Sequence, residues 1–251
     1  MNYLSFVEWL KGNIGEAGDY SYGAQHLISF GLVILVCVLL IIYAKGKAQE
    51  SNKIKVLKAI AIFQLSFEVI WRLIYLFVKH DTFPAIWPMY PCNLAGIIIP
   101  LACLLDNKIM KKMFYLFGFI GGVLTFFYPN GIFSSSFFVF PILKSVLQHT
   151  GLVIIPIYEY ALKKYRPSLY DYPYIFIGLL VHLLNCEVID RLLGLNEDYL
   201  FLRSGLPFVI PGVPKWITIS IFAQIVILLM CYFCDIKKSK EALDKLFKKK
   251  S

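Results

Sequence analysis

Charged residues are scarce in this sequence. Asp, Glu, Lys and Arg make up 16% of its 251 residues, and hydrophobic residues make up 59%, whereas roughly a quarter of the residues in soluble domains are charged. A soluble domain of this length has too little interior to bury so much apolar side chain, so a surface that faces lipid is expected. The composition therefore indicates an integral membrane protein, which we expect in the cell membrane.

Cysteines are missing from the segments between the apolar blocks. All six lie within those blocks, so they do not form the disulfide framework of a small secreted domain. The net charge of +9 comes largely from short loops and the tail rather than from one basic patch, so no nucleic-acid partner is expected. The sequence predicts membrane lipids as its partners.

Seven apolar blocks are present, most of them roughly 20 residues long, which is the length that a helix needs to cross the hydrocarbon core of a bilayer. We predict an all-α bundle of seven transmembrane helices over residues 1–236, followed by a basic cytoplasmic tail over residues 237–251. The turn signal Pro129-Asn130-Gly131 separates the fourth span from the fifth. The predicted spans are residues 27–44, 56–78, 83–105, 113–128, 137–162, 172–193 and 214–234.

Basic residues alternate between the two sides of the predicted bundle. Residues 45–58, 108–112, 163–166 and 237–250 together carry 18 lysines and arginines. The opposite side carries Lys11, Lys79, Arg191, Arg203 and Lys215. Because lysine and arginine accumulate in cytoplasmic loops, this pattern predicts an N-terminus outside the cell and a cytoplasmic C-terminus.

Four of the predicted spans carry polar or charged side chains, which are costly in lipid, face the protein interior and usually mark a function. These residues lie roughly 7 to 12 positions from the expected outer ends of their spans, so they share one layer across the bundle. We predict one buried polar cavity that opens outward, and an inner half nearly bare of polar groups. The residues are Glu68, Arg72, Cys92, Asn93, Lys144, Gln148, His149, His182 and Asn185.

Several of these residues also have a purely structural interpretation. Glu68 and Arg72 are four positions apart and can form a buried pair that locks the packing. Asn185 can form a hydrogen bond to a neighbouring helix, as polar residues in membranes often do. The histidines and the acidic residues of the sixth span are suitable metal ligands, but their spacing does not require a metal, and neither a metal nor a cofactor is predicted.

Four short motifs, placed in order along the chain, carry a resemblance to a known family. They are Tyr22-Gly23-Ala24-Gln25-His26, Pro88-Met89-Tyr90-Pro91-Cys92-Asn93, Gln148-His149-Thr150-Gly151-Leu152-Val153 and Asn196-Glu197-Asp198-Tyr199-Leu200. Over essentially its whole length the chain resembles the YwaF-like bacterial integral membrane proteins, which are related to the eukaryotic transmembrane protein 164.

The resemblance implies a lipid acyltransferase or lipid ester hydrolase that acts on a phospholipid or lysolipid, with Cys92 as nucleophile and His149 as its base. In that chemistry Asn93 or Asn185 would donate to the developing oxyanion. Arg72, Lys144 or His26 would hold a lipid phosphate.

One position departs from the family pattern. Tyr90 stands where the family typically has a histidine, which leaves the activity of this chain open. Two alternatives to an enzyme therefore remain at the level of sequence. One is a carrier or solute-binding membrane protein, and the other is a sensor without catalysis.

Overall fold

The computed structural model describes residues 3–81, 83–129, 131–195 and 213–248. In these ranges the chain is mainly helical, with one isolated antiparallel bridge between Ala17 and Ser135. Asn130 of the predicted turn, the motif at 196–200 and Arg203 lie outside the described residues. The helices are α1 (Tyr3–Lys11), α2 (Ala24–Lys45), α3 (Glu50–Phe77), α4 (Phe83–Ile86), α5 (Pro91–Leu104), α6 (Lys108–Phe127), α7 (Phe140–Ala161), α8 (Tyr172–Leu193), α9 (Lys215–Cys234) and α10 (Ile236–Lys248).

Five helical segments of the described chain are long and apolar enough to cross a bilayer: α2, α3, α6, α7, and α8 with the 3-10 turn before it. The pair formed by α9 and α10, which is bent by 114°, raises the number to six if the pair is taken as one span. The prediction of an all-α membrane protein is therefore confirmed. The count of seven spans and the orientation of the termini stay predictions.

The predicted third span, residues 83–105, is not one continuous helix. Helix α4 ends at Ile86 and α5 begins at Pro91. Pro88 and Pro91 account for the interruption, because proline has no amide hydrogen and disfavours the helical conformation in the residue before it. Tyr90, which precedes Pro91, is accordingly extended, with φ −71° and ψ 147°. Because the whole segment is apolar, its composition predicted one continuous span.

Helix α5 lies in the middle of the bundle and packs against α3, α6 and α7. The core between these helices contains Ala95, Ile99, Tyr115 and Leu152, all of them fully buried. Small residues bring the backbones close together, as is common between helices in membranes. A Cβ at Gly118 of α6 would collide with Ile99. This close packing fixes α5 relative to its neighbours.

The two terminal segments lie at opposite ends of α7. At one end the N-terminal segment pairs with the loop between α6 and α7, where Tyr20 N donates to Phe133 O over 2.8 Å. At the other end α10 docks on the turn before α8, where Leu169 N donates to Ser239 Oγ over 3.2 Å.

Candidate functional site

The buried carboxylate of Glu68 on α3 is surrounded by donors from its own helix. Trp71 Nε1 donates to Glu68 Oε2 over 2.9 Å, and Gln64 Nε2 donates to Glu68 Oε1 over 3.2 Å. Arg72 completes the set with an ion pair of 2.5 Å to Oε2. Residues three and four positions apart share a helix face, so these side chains converge on one point. The predicted pairing of Glu68 with Arg72 is confirmed.

The side-chain oxygen of Asn93 joins α5 to α7. Asn93 Oδ1 accepts from Gln148 Nε2 over 2.9 Å and from Lys144 Nζ over 3.3 Å, and it lies 4.0 Å from Cys92 Sγ. The Lys144 ammonium also lies 4.2 Å from the centre of the Trp71 ring, which links this group to α3. We call this set the polar cluster; its members are Gln64, Glu68, Trp71, Arg72, Cys92, Asn93, Lys144 and Gln148.

The members of the polar cluster differ in burial. Glu68, Trp71, Asn93 and Gln148 are buried, whereas Arg72, Cys92 and Lys144 are only half-buried. The two cations face a single carboxylate, and within the described part of the chain Lys144 forms no ion pair. A site of this composition suits an anionic group, because charge-assisted hydrogen bonds from lysine and arginine are the strong ones.

Two glycines make room for the polar cluster. A Cβ at Gly96 of α5 would lie 2.5 Å from Glu68 Oε1 and 3.2 Å from Gln148 Nε2, and a Cβ at Gly151 of α7 would collide with Gln64. The sequence analysis missed Gln64 and Trp71 as members of the site. Both lie within one helical turn of Glu68, so helical spacing from that carboxylate would have found them.

The break between α4 and α5 exposes backbone carbonyls that two side chains of α8 satisfy. Asn185 Nδ2 on α8 donates to Pro88 O over 3.0 Å, and Cys186 Sγ donates to Met89 O over 2.7 Å. An unsatisfied backbone group in lipid costs several kcal/mol. Asn185 thus holds the break rather than joining the polar cluster. The sequence predicted a hydrogen bond to a neighbouring helix, and its partners lie instead in the segment between α4 and α5.

Arg72 connects the break to the polar cluster. Its Nε donates to Ile86 O, the last residue of α4, over 3.0 Å, while its NH1 group binds the Glu68 carboxylate. One side chain therefore fixes both the carboxylate and the end of α4. The position of the break and the geometry of the cluster depend on each other.

Cys92 lies in the first turn of α5, directly after Pro91, with Tyr90 at the N-cap. The start of a helix carries a partial positive charge that stabilises negative groups placed there. The thiol is the member of the polar cluster best suited to act as a nucleophile in acyl transfer. A helix start and a neighbouring lysine are two features that favour a thiolate.

His149 lies on a different face of α7 from Lys144 and Gln148. With about 100° of rotation per residue, its side chain lies roughly 100° from Gln148 and roughly 140° from Lys144 around the axis of α7. His149 Nδ1 lies 2.7 Å from the carbonyl oxygen of Ser145 on the same helix. The hydrogen bonds of the described residues include none between Cys92 and His149, so their pairing stays a prediction.

The other two candidate histidines have local partners outside the polar cluster. His26 Nδ1 accepts from Tyr22 N over 3.1 Å, and its Nε2 donates to Phe126 O over 2.8 Å. These bonds tie the start of α2 to the end of α6. His182 Nε2 lies 3.3 Å from Cys186 Sγ, beside the break. The single layer predicted from depth along the spans is therefore divided among separate sites.

A second buried ion pair lies at the opposite end of α7. Lys111 Nζ is 2.9 Å from Glu159 Oε1 and 2.5 Å from Asp106 Oδ1, and Tyr115 donates to the same Glu159 oxygen over 3.2 Å. The expectation that the inner half is nearly bare of polar groups is therefore wrong. Lys111 was counted among loop charges, yet it is buried in the first turn of α6.

A family model described as the TMEM164 family matches residues 21–234. This range contains the whole polar cluster and the break between α4 and α5. No curated protein and no solved structure matches the chain.

Proposed function

The chain belongs to the TMEM164 family, and from this premise we propose that it transfers or hydrolyses the acyl groups of membrane lipids, with Cys92 as the nucleophile. The observation that carries the proposal is the place of the thiol. Cys92 lies in the first turn of α5, is half-buried, and shares the side-chain oxygen of Asn93 with Lys144.

Acyl transfer at this site requires two balanced steps. In the first, the thiolate of Cys92, its proton released to water and its charge balanced by the Lys144 ammonium, bonds to the ester carbonyl carbon, the ester C–O bond breaks, and the leaving alcohol takes a proton from Lys144. In the second, the hydroxyl of a lysolipid gives its proton to the Lys144 amine as its oxygen attacks the thioester, the C–S bond breaks, and the thiolate and the ammonium are restored. Water in place of the lysolipid gives hydrolysis.

The backbone and the cations stabilise the charges of these steps. The N–H of Cys92 lies in the first turn of α5, where amides have no partner within the helix, and it can donate to the oxyanion of the tetrahedral intermediate. Arg72 and Lys144 outnumber the single carboxylate of Glu68, so the cluster attracts the phosphate of a phospholipid or lysolipid. We propose this phosphate contact as the basis of substrate binding.

We also propose that the chain crosses the membrane seven times, with the N-terminus outside. Helices α4 and α5 form the third crossing, interrupted at residues 87–90, and α9 forms the seventh. The alternation of basic loops supports this topology. Labelling of single cysteines introduced at Ser51 and Asn13, in a background without native cysteines, tests it. An impermeant reagent should label only position 13 in intact cells, and labelling of position 51 alone would reverse the orientation.

Trapping of the acyl-enzyme tests the proposed function. The purified protein is incubated in nanodiscs with phospholipid that carries a labelled acyl chain, and the Cys92 peptide is analysed by mass spectrometry before and after hydroxylamine. We expect a hydroxylamine-sensitive acyl group that Cys92→Ser abolishes. Cys234→Ser is the matched control, since Cys234 is also half-buried, and it should retain the label. Equal labelling of the Cys92→Ser protein would overturn the assignment.

A carrier or binding protein for a small anion is the second candidate. The observation that favours it is that Lys144 has a hydrogen bond and an aromatic contact but no carboxylate partner in the described chain. Anion uptake into proteoliposomes that survives Cys92→Ser but is lost in Arg72→Ala would support this function. Acyl trapping on Cys92 would favour the enzyme.

A further inference from the structure

Asn185 makes two hydrogen bonds to consecutive residues of the break between α4 and α5. Its Oδ1 accepts from Trp87 Nε1 over 3.0 Å, and its Nδ2 donates to Pro88 O over 3.0 Å. A side-chain amide offers a donor and an acceptor at once, so this one residue fixes both the ring of Trp87 and the backbone of Pro88.

The break needs an external support. Pro88 and Pro91 have no amide hydrogens, so the helical hydrogen bonding that ends with Trp87 N and Phe83 O does not continue through residues 88–90. Arg72 holds the α4 end at Ile86. On the α5 side the support comes from α8, through Asn185 and the bond from Cys186 to Met89 O.

The hydrogen bond from Asn185 lies four residues before the thiol. Pro88 is held by Asn185, and Cys92 follows it at the start of α5. The direction in which α5 begins determines where its N–H groups point and how Cys92 lies relative to Asn93 and Lys144. The partial positive charge of a helix start acts only within its first turn, so a small change in that direction removes the effect.

We propose that Asn185 is a positioning residue for Cys92: by holding Trp87 and Pro88 it aims the start of α5 and so sets the reactivity of the thiol. Asn185 touches neither the thiol nor any other member of the polar cluster by a hydrogen bond in the described chain. Its effect passes through the backbone of residues 88–92.

Alkylation of Cys92 tests this inference and does not require acyl transfer, so it stands or falls separately from the proposed function. The rate of reaction with iodoacetamide is measured against pH in detergent, and the Cys92 peptide is followed by mass spectrometry. The plateau rate at high pH reports how accessible the Cys92 thiol is to the reagent. The pH at the midpoint reports how easily the thiolate forms. In Asn185→Leu we expect the midpoint to move up by roughly 0.2 to 0.7 pH units, which corresponds to the stabilisation that a helix start gives a negative group.

Two further variants distinguish a specific effect of Asn185 on the position of Cys92 from general destabilisation of the protein. Trp87→Phe removes only the indole donor and leaves the bond to Pro88, so it should shift the midpoint in the same direction by less. Glu187→Gln on the same helix breaks only an exposed pair with Arg191 and should leave the profile unchanged. A wild-type midpoint in both Asn185→Leu and Trp87→Phe would overturn the inference. A change in the plateau without a change in the midpoint would also overturn the inference, because Asn185 would then control only the access of iodoacetamide to the thiol.

Discussion

Lys144 Nζ donates to Asn93 Oδ1 over 3.3 Å, and the Cys92 thiol lies 4.0 Å from the same oxygen. Asn93 therefore holds a lysine, rather than a histidine, beside the candidate nucleophile. The resemblance to the family implied His149 as the base. On α7, however, the face that carries Lys144 and Gln148 meets α5, and His149 lies outside that face.

Gly96 should not tolerate a side chain. In Gly96→Ala the new Cβ would lie 2.5 Å from Glu68 Oε1, and Glu68 cannot retreat because Gln64, Trp71 and Arg72 all hold its carboxylate. We expect a loss of about 1–3 kcal/mol, as for other overpacked sites, measured as a lower unfolding midpoint in detergent. Gly121→Ala is the control, since nothing lies within 4 Å of its Cβ. Equal midpoints for the two variants would contradict the packing described for Glu68.

Glu68 and Arg72 should be strongly coupled. Glu68→Gln leaves the Arg72 guanidinium without its carboxylate, and loss of one partner of a buried pair costs about 3–5 kcal/mol. The double variant Glu68→Gln with Arg72→Met should cost less than the two single variants added together. A double-mutant cycle on unfolding free energies measures the coupling. Additive single effects would mean that the pair is not formed in the membrane protein.

Lys111 offers an internal comparison of a buried and an exposed partner. Glu159 is fully buried, whereas 63% of the Asp106 side chain is exposed. Lys111→Met should cost about 3–5 kcal/mol because it leaves the Glu159 charge buried and unpaired. Asp106→Asn should cost less than about 1 kcal/mol. Thermal unfolding of the two variants in the same detergent checks this ranking, and a larger loss in Asp106→Asn would reverse it.

The contribution of Asp106 should depend on pH. The hydrogen bond from Lys111 holds the pKa of Asp106 below its usual range. A lowered carboxyl pKa stabilises the fold above the pKa of the unfolded chain, and this contribution disappears as the pH falls through the lower folded value. The difference between wild type and Asp106→Asn should therefore be present at pH 7, begin to fall near about pH 4 and vanish only below the lowered folded pKa. A difference that persists in acid would assign it to another cause.

The sequence predicted how deep a side chain lies along its span better than it predicted the direction in which the side chain points from the helix axis. Counting from the span ends placed Glu68, Cys92 and Lys144 at one level, and the structure brings these residues into one cluster. The same count grouped His149 and Asn185 with them. Their side chains leave their helices in other directions, which a hydropathy pattern on apolar helices does not record. The direction of a side chain depends on which helices pack against its own helix, and this is a property of the tertiary structure.

The break in the third predicted span shows a second limit. Trp87-Pro88-Met89-Tyr90-Pro91 contains two prolines, and proline spacing alone indicates an interrupted helix. The segment was nevertheless predicted as one continuous span because its composition is apolar. The partners that make the break tolerable, Arg72 and Asn185, come from helices 14 and 97 residues away along the chain, and no local pattern predicts them.

The rate of acylation at Cys92 in two variants of α7 tests the account most directly. Labelled phospholipid is added to Lys144→Met and to His149→Gln in nanodiscs, and the acyl group on the Cys92 peptide is followed over time. If Lys144 serves the thiol, Lys144→Met should slow acylation by roughly 100-fold or more, as expected for loss of a proton-transfer group, and His149→Gln should stay close to wild type. Slow acylation in His149→Gln together with a normal rate in Lys144→Met would contradict the account.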